Sequence, residues 1–239
     1  MAAIEGASSE YDRVAEVYAQ LRESQMLGHE MDWLEKGHSQ PRVILDAGCG
    51  PGRDLRSLRR RGNFVIGLDL SEKMLSIASE NNSDLIGRDQ IGLVRGDLSR
   101  IPLNDSSIDA IWCSTVLPHF SATILTVVFK EFWRILREDG MLVCSVKLGI
   151  GEGYEAEEQL DNALRYMRYW DLDAFEKLAL QLGFIRTDLH LWNERLRFPE
   201  VGRDIEFASL ALKLTNEQRG IDQANIASRH CSRRCDSRG

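Results

Sequence analysis

The chain is 239 residues long, 43% hydrophobic, and carries a formal net charge of −7 from 30 Lys and Arg against 37 Asp and Glu. This length and apolar fraction allow one large domain or two small ones, and the acidic balance argues against wholesale binding of a polyanion, which needs a concentrated basic face. No apolar run approaches the ~18 residues needed to span a bilayer, and the start MAAIEGASSE lacks the basic and apolar regions of a secretory signal, so a soluble cytoplasmic protein is expected.

Residues 10–36, EYDRVAEVYAQL and then MLGHEMDWLEK, carry apolar residues at helical spacing and read as one or two helices. After Pro41, strand and helix alternate. VILDAG is a short buried strand, DLRSLRRRG a helix closed by Gly62, and FVIGLDL a second strand. SEKMLSIASEN is a second helix, with Ser71 as N-cap and Met74, Leu75 and Ala78 facing inward. IGLVR (91–95) and SIDAIWCST (107–115) are the third and fourth strands. TILTVVFKEFWRILREDG then shows the stripe Leu125, Val128, Phe129, Phe132 and Leu136 of a long helix stopped by Gly140, and MLVCSVK follows as a fifth strand. Such alternation means a parallel sheet covered on both faces.

Residues 149–169, GIGEGYEAEEQLDNALRYMRY, break this rhythm. Their Tyr154, Arg165, Tyr166, Arg168 and Tyr169 fit an amphipathic helix and part of an acceptor pocket equally well. Asp173 caps the next helix through its D-x-x-E spacing to Glu176, and Gly183 ends that helix. FIRTDLHLW and IEFASLALKL have no helix between them and should pair as an antiparallel hairpin at one sheet edge. Residues 216–239 hold five Arg against three acids without apolar periodicity, and read as a poorly ordered tail. Cys231 and Cys235 with His230 supply too few ligands for a metal, and no metal site is expected elsewhere. Cys49, Cys113 and Cys144 stand in apolar or Gly-rich segments and read as reduced buried thiols. The chain therefore divides into N-terminal helices capping a site (1–40), a binding domain (41–214) and the tail (215–239).

The turn after the first strand decides the ligand. A dinucleotide fingerprint needs G-x-G-x-x-G, whereas the glycines here are Gly48, Gly50 and Gly52, with Arg53 in the third fingerprint position. Asp46 at the strand end would repel a phosphate by several kcal/mol where poorly screened, and would attract a cation. Both features disfavour NAD-dependent oxidoreduction. A ligand with an ammonium, a sulfonium and a ribose but no phosphate satisfies both, and S-adenosylmethionine is that ligand. Asp69 ends the second strand, where a carboxylate accepts from ribose hydroxyls, a device NAD enzymes share. Asp97, in VRGDLSRIPL, follows the third strand and is placed to meet the adenine edge.

Taken in order, VILDAGCGPG, VIGLDLSEKML, GDLSRIPLNDSSIDAIWCSTVLPHF and EFWRILREDGMLVCSV resemble the class I S-adenosylmethionine-dependent methyltransferases, particularly the small-molecule group similar to the ubiquinone and menaquinone biosynthesis methyltransferases. The resemblance covers about residues 10–214. It implies an α/β fold with a Rossmann-like, mostly parallel seven-stranded sheet of order 3-2-1-4-5-7-6, the last strand antiparallel, with helices on both faces. It also implies that Asp46, Gly48 and Gly50 line the methionine moiety, Asp69 with Leu70 the ribose, and Asp97 with the backbone of Leu98 the adenine. Ser114 and Thr115 would lie beneath the sulfonium, and Tyr11 or Tyr18 would help to close the pocket.

His119 follows the fourth strand at the carboxyl edge, where open α/β sheets bind ligands. A lone His is more often structural; a catalytic one would take a proton from the acceptor, for which a pKa near neutrality suits. The family often has a His pair here, and Pro118 replaces its first member. The function expected is methyl transfer to an oxygen, nitrogen or carbon of a small molecule. The rivals are a tRNA methyltransferase, which needs a basic face, and a non-catalytic S-adenosylmethionine-binding subunit.

Overall fold

The computed structural model describes the chain except residues 1–8, 37–39, 41, 88–89, 201–202 and 216–239, so the tail with His230, Cys231 and Cys235 lies outside the described residues. Five strands run parallel in the order β3-β2-β1-β4-β5: β1 Val43–Ala47, β2 Phe64–Asp69, β3 Ile91–Arg95, β4 Ile108–Cys113 and β5 Leu136–Leu148. Beyond β5 lies β9 (Glu206–Leu214), antiparallel both to β5 and to the edge strand β8 (Phe184–Asn193). These seven strands take the expected order, with the last strand of the chain inserted antiparallel. The closing hairpin is as expected, except that a single helical turn, Glu194–Arg197, interrupts its connection.

Two further strands replace the amphipathic-helix reading of 149–169. β6 (Glu152–Glu157) and β7 (Ala163–Trp170) form an antiparallel hairpin whose second strand pairs in parallel with the end of β5 through Lys147↔Tyr169 and Leu148↔Trp170. Asp161 and Asn162 make the reversal in the left-handed region, at φ 51° and 52°, a conformation short polar side chains tolerate. Ala163, Arg165 and Met167 are buried at every second position, the period of a half-buried strand.

Two helix limits also differ from expectation. The helix Ala122–Ile135 stops five residues before Gly140, because Leu136 turns extended (φ −69°, ψ 138°) and pairs with Ile108 in the sheet. Arg134, donating to the carbonyls of Ile101 and Leu103 at 2.8 Å, ties that helix end to the loop before β4. The helix Leu172–Gln181 is capped by Asp171 and not Asp173, its carboxylate accepting from the Ala174 N–H at 2.9 Å. Ser71 does cap Glu72–Asn81, which buries Met74 and Ala78.

The apolar core lies on both faces of the sheet. On one face Phe129 meets Phe184 edge-on at 5.3 Å and Phe175 at 6.1 Å, each ring fully buried. Burial of one such ring contributes roughly 1.5–3 kcal/mol. Among the described residues, no helix is long and apolar enough to cross a membrane. The packing leaves the carboxyl ends of β1, β2, β3 and β4 gathered at one edge.

Candidate active site at the carboxyl edge of the sheet

Past β1 the chain turns back on itself through Gly48 and Gly50, both in the left-handed region at φ 76° and 52°. A Cβ on Gly48 would lie 2.5 Å from the Val116 side chain, whereas one on Gly50 would meet nothing within 4 Å, so only the backbone faces that opening. Asp69 fixes the turn from β2. Its Oδ2 accepts from the Gly50 N–H at 2.8 Å and its Oδ1 from the Ser71 N–H at 2.9 Å. Burial raises the Asp69 carboxyl above the ordinary carboxylate range, and those two N–H groups pull it back.

A cleft opens above this turn, enclosing ≈ 1080 Å³ counted with the space continuous with solvent. Gly48, Gly50, Asp69, Leu70, Asp97, Leu98, Ser114, Tyr11, Tyr18 and His119 all line it, gathering residues up to 108 positions apart in the chain. Asp97 caps its own turn, its Oδ1 accepting from the Ser99 N–H at 2.7 Å. The apolar wall from Met74, Val116, Phe120 and Ile124 was not singled out from the sequence. Its only signal was that loops after parallel strands carry ligand-facing side chains.

Asp46 is the exception. It is 3% exposed and lies behind the glycine turn, in a smaller cavity of ≈ 350 Å³ that also touches Arg22, Arg53 and Asp54. That cavity shares Tyr18, Gly48, Gly50, Ser114 and Thr115 with the cleft, so Asp46 meets the cleft from beneath. Among the described residues, its buried Oδ2 has no hydrogen-bond partner, and neither has the buried Ser114 hydroxyl. Burial first, then the charges of Asp54 and Asp69, pushes the Asp46 carboxyl well above its ordinary range, against the pull of Arg53. Arg53 itself is spent on Asp54, in a two-pronged contact at 2.9 and 2.8 Å.

His119 sits between the cleft and the N-terminal helices. Its Nδ1 lies 3.0 Å from the Tyr166 carbonyl and its Nε2 2.9 Å from the Tyr11 hydroxyl. A carbonyl only accepts, so Nδ1 carries the proton and the Tyr11 hydroxyl donates to Nε2. Burial, and next the Arg165 charge, lowers the ring pKa to about 3. The imidazole is therefore neutral with its basic nitrogen engaged, which supports the structural reading of His119 over that of a base.

A third cavity, ≈ 430 Å³ counted with the space continuous with solvent, opens behind Thr115 and His119 and is lined by Lys147 from β5 and Arg165 from β7. The hairpin thus contributes Arg165 and Tyr166 to the site, while Tyr154 is 60% exposed and Arg168 packs on the Trp170 ring at 4.2 Å. Thr115 lines all three cavities and holds φ 58°, rare for a β-branched residue, with its N–H donating to the Ser145 hydroxyl at 2.8 Å. Away from the site, His29, Glu30 and His190 come close enough to hold a metal, but Arg197 donates to both oxygens of Glu30, at 2.7 and 2.9 Å. That geometry is an ion pair.

Comparison with known proteins agrees with this geometry. A family model described as a methyltransferase domain matches residues 45–144. A malonyl-[acyl-carrier protein] O-methyltransferase of Yersinia pestis is 33% identical over 207 residues, 84% of this chain and 69% of its own length. That of Erwinia pyrifoliae is 29% identical over 160 residues, 66% of this chain and 57% of its own. The chain thus spans less than two thirds of some of these relatives. Among solved structures, Burkholderia thailandensis 1,6-didemethyltoxoflavin-N1-methyltransferase, with bound 1,6-didemethyltoxoflavin and S-adenosylhomocysteine, superposes with a TM-score of 0.67 at 19% identity over 88% of each chain. That likeness shows the fold.

Proposed function

The chain belongs to the class I S-adenosylmethionine-dependent methyltransferases, and on that premise we propose that it moves the cofactor's methyl group to an oxygen, nitrogen or carbon of a small-molecule acceptor. The observation that carries the reading is the buried, unpartnered Oδ2 of Asp46 behind the opening at Gly50. A carboxyl there, with one oxygen left unpartnered among the described residues, suits an ammonium and repels a phosphate. Asp69 keeps lone pairs for ribose hydroxyls beside its two backbone contacts, and Asp97 with Leu98 forms the far wall toward the adenine. Ser114, Leu70 and Tyr18 complete the lining in this reading, and Tyr11 closes it through His119.

The bound cofactor supplies an electrophilic methyl on a sulfonium. The protein's part is alignment and exclusion of water, the larger share of a displacement that needs little acid-base help. With its basic nitrogen engaged, His119 acts by holding Tyr11 and the Tyr166 backbone, and not by taking a proton. An RNA acceptor is disfavoured, because the basic side chains nearest the site, Arg22, Lys147 and Arg165, are buried and do not form a face.

Calorimetric titration with S-adenosylmethionine and with S-adenosylhomocysteine tests the proposal: saturable binding of both is expected, and silence at millimolar ligand overturns it. Asp69→Ala should weaken binding at least tenfold. Incubation with methyl-labelled cofactor and a metabolite extract, read by mass spectrometry, should yield a labelled small molecule; cofactor binding without any such product would instead identify a non-catalytic subunit.

A further inference from the structure

Building on the methyltransferase reading, we propose that the inner chamber behind Thr115 and His119 is the acceptor subsite, and that it selects a carboxylate-bearing acceptor through Lys147 and Arg165. The chamber shares Tyr18, Thr115 and His119 with the cofactor cleft, so an occupant lies against the cleft floor.

Its buried charges do not balance. Arg203 bridges Glu194, through Nε at 2.7 Å and Nη2 at 2.8 Å, and Glu157. Arg165 reaches Glu157 at 3.0 Å, and Arg22 stands 3.7 and 3.9 Å from Glu194 and Glu157. Among the described residues Glu157 and Glu194 thus serve three guanidiniums, and Lys147 adds a fourth cation, opposed beyond them only by the charge of the exposed Glu155. Among the described residues the Lys147 ammonium, 3% exposed, meets soft partners at short range: the Met167 sulfur at 3.4 Å and the Tyr169 ring at 5.4 Å. Arg165, 6% exposed, has a buried Nε without a hydrogen-bond partner among the described residues.

An uncompensated buried cation is strongly destabilising, and a chain keeps such groups where a ligand brings the opposite charge. The cofactor's own carboxylate does not fill this role, because Lys147 and Arg165 do not line the Asp46 cavity that would hold the methionine end. Glu157 and Glu194 beside the chamber repel a compact phosphate dianion about twice as strongly as a singly charged carboxylate. A carboxylate also needs no base to ionise at neutral pH, consistent with the engaged His119.

The test uses the full chain saturated with S-adenosylhomocysteine and titrated at pH 7 with malonamate, which carries a single carboxylate, with malonamide and with inorganic phosphate. Saturable malonamate binding is expected, with malonamide silent and phosphate weaker. Lys147→Met should weaken malonamate at least tenfold without weakening S-adenosylhomocysteine binding or lowering the thermal midpoint, and Lys147→Arg should recover most of the loss. Equal malonamate affinity in the wild type and Lys147→Met, or malonamide or phosphate binding as tightly as malonamate, overturns the proposal. If Lys147→Met does not fold, the wild-type pH profile decides. Burial, with Arg203 and Arg165 facing it and Glu155 and Glu194 opposing, lowers Lys147 to about 8, so malonamate affinity must fall above about pH 8; a flat profile overturns the proposal. The two readings fail separately. Lys147-dependent malonamate binding without S-adenosylhomocysteine binding removes the cofactor assignment and keeps the chamber, and the converse removes the chamber alone.

Discussion

The Tyr11 hydroxyl donates to Nε2 of His119 across 2.9 Å, joining the N-terminal helical segment to the loop after β4. Arg165 Nη1 donates to the same hydroxyl at 3.3 Å, so one phenol links the cofactor cleft to the inner chamber. Tyr11→Phe removes both contacts and leaves His119 Nε2 unpaired. A lost hydrogen bond with an unsatisfied partner costs ~1–2 kcal/mol. Urea denaturation should register that loss, and S-adenosylhomocysteine affinity should fall about fivefold. Unchanged values in both measurements would show that the contact does not hold the segment.

His119 predicts an acid-sensitive stability. Its folded pKa of about 3 lies below the ordinary ~6.5, so the unfolded chain binds a proton more readily. The stabilisation is complete above pH ~6.5 and is lost as pH falls from there toward 3, by up to ~1.4 kcal/mol per pH unit for this one group. His119→Asn should flatten that part of the pH–stability curve relative to wild type. Equal slopes between pH 6.5 and 4.5 would falsify the buried neutral ring.

Asp46→Asn separates stability from binding. Folding raises the Asp46 carboxyl, so ionising it in the folded chain costs stability that grows as pH rises above ~4. Asn removes that cost, and at pH 7 the apo protein should be as stable as wild type or more so. Affinity for S-adenosylhomocysteine should nevertheless fall at least tenfold, because the ammonium loses its anion. Wild-type affinity in the Asn variant would remove the ammonium assignment.

The alternating strands and the glycine turn were legible because they follow rules that side-chain chemistry enforces locally, whereas the order of the strands in the sheet came from the resemblance to the class I methyltransferases. Buried runs such as VILDAG and FVIGLDL read as strands, and the left-handed turn at Gly48 and Gly50 reads from glycine itself. The β6–β7 hairpin was hidden because its inward residues include Arg165, so its two-residue period is not an apolar one. Of the inner chamber's charged residues only Arg165 stood among the acceptor-pocket candidates: Arg22, Lys147, Glu194 and Arg203 come from separate parts of the chain, and each alone reads as a surface charge. The ring state of His119 depends on Tyr11, 108 residues earlier. Which side of the sheet Asp46 leaves from was likewise not a property of its spacing.

Thr115 tests whether the floor shared by the three cavities is held under strain. A non-glycine residue at φ 58° costs roughly 1–2 kcal/mol, and a β-branched one is the least suited to it. The Ser145 hydroxyl, buried on β5, fixes the strained residue by accepting its N–H. Thr115→Gly relieves the strain while loosening the unfolded chain, effects of opposite sign and similar size, so its urea midpoint should match wild type or exceed it. Thr115→Ala keeps most of the strain and loses the side-chain packing, and should fall at least ~1 kcal/mol below the Gly variant. With a floor no longer held in one conformation, the Gly variant should bind S-adenosylhomocysteine about threefold more weakly than wild type. An Ala variant as stable as the Gly variant would show that the backbone at Thr115 stores no strain, and that its unusual φ is incidental to the site.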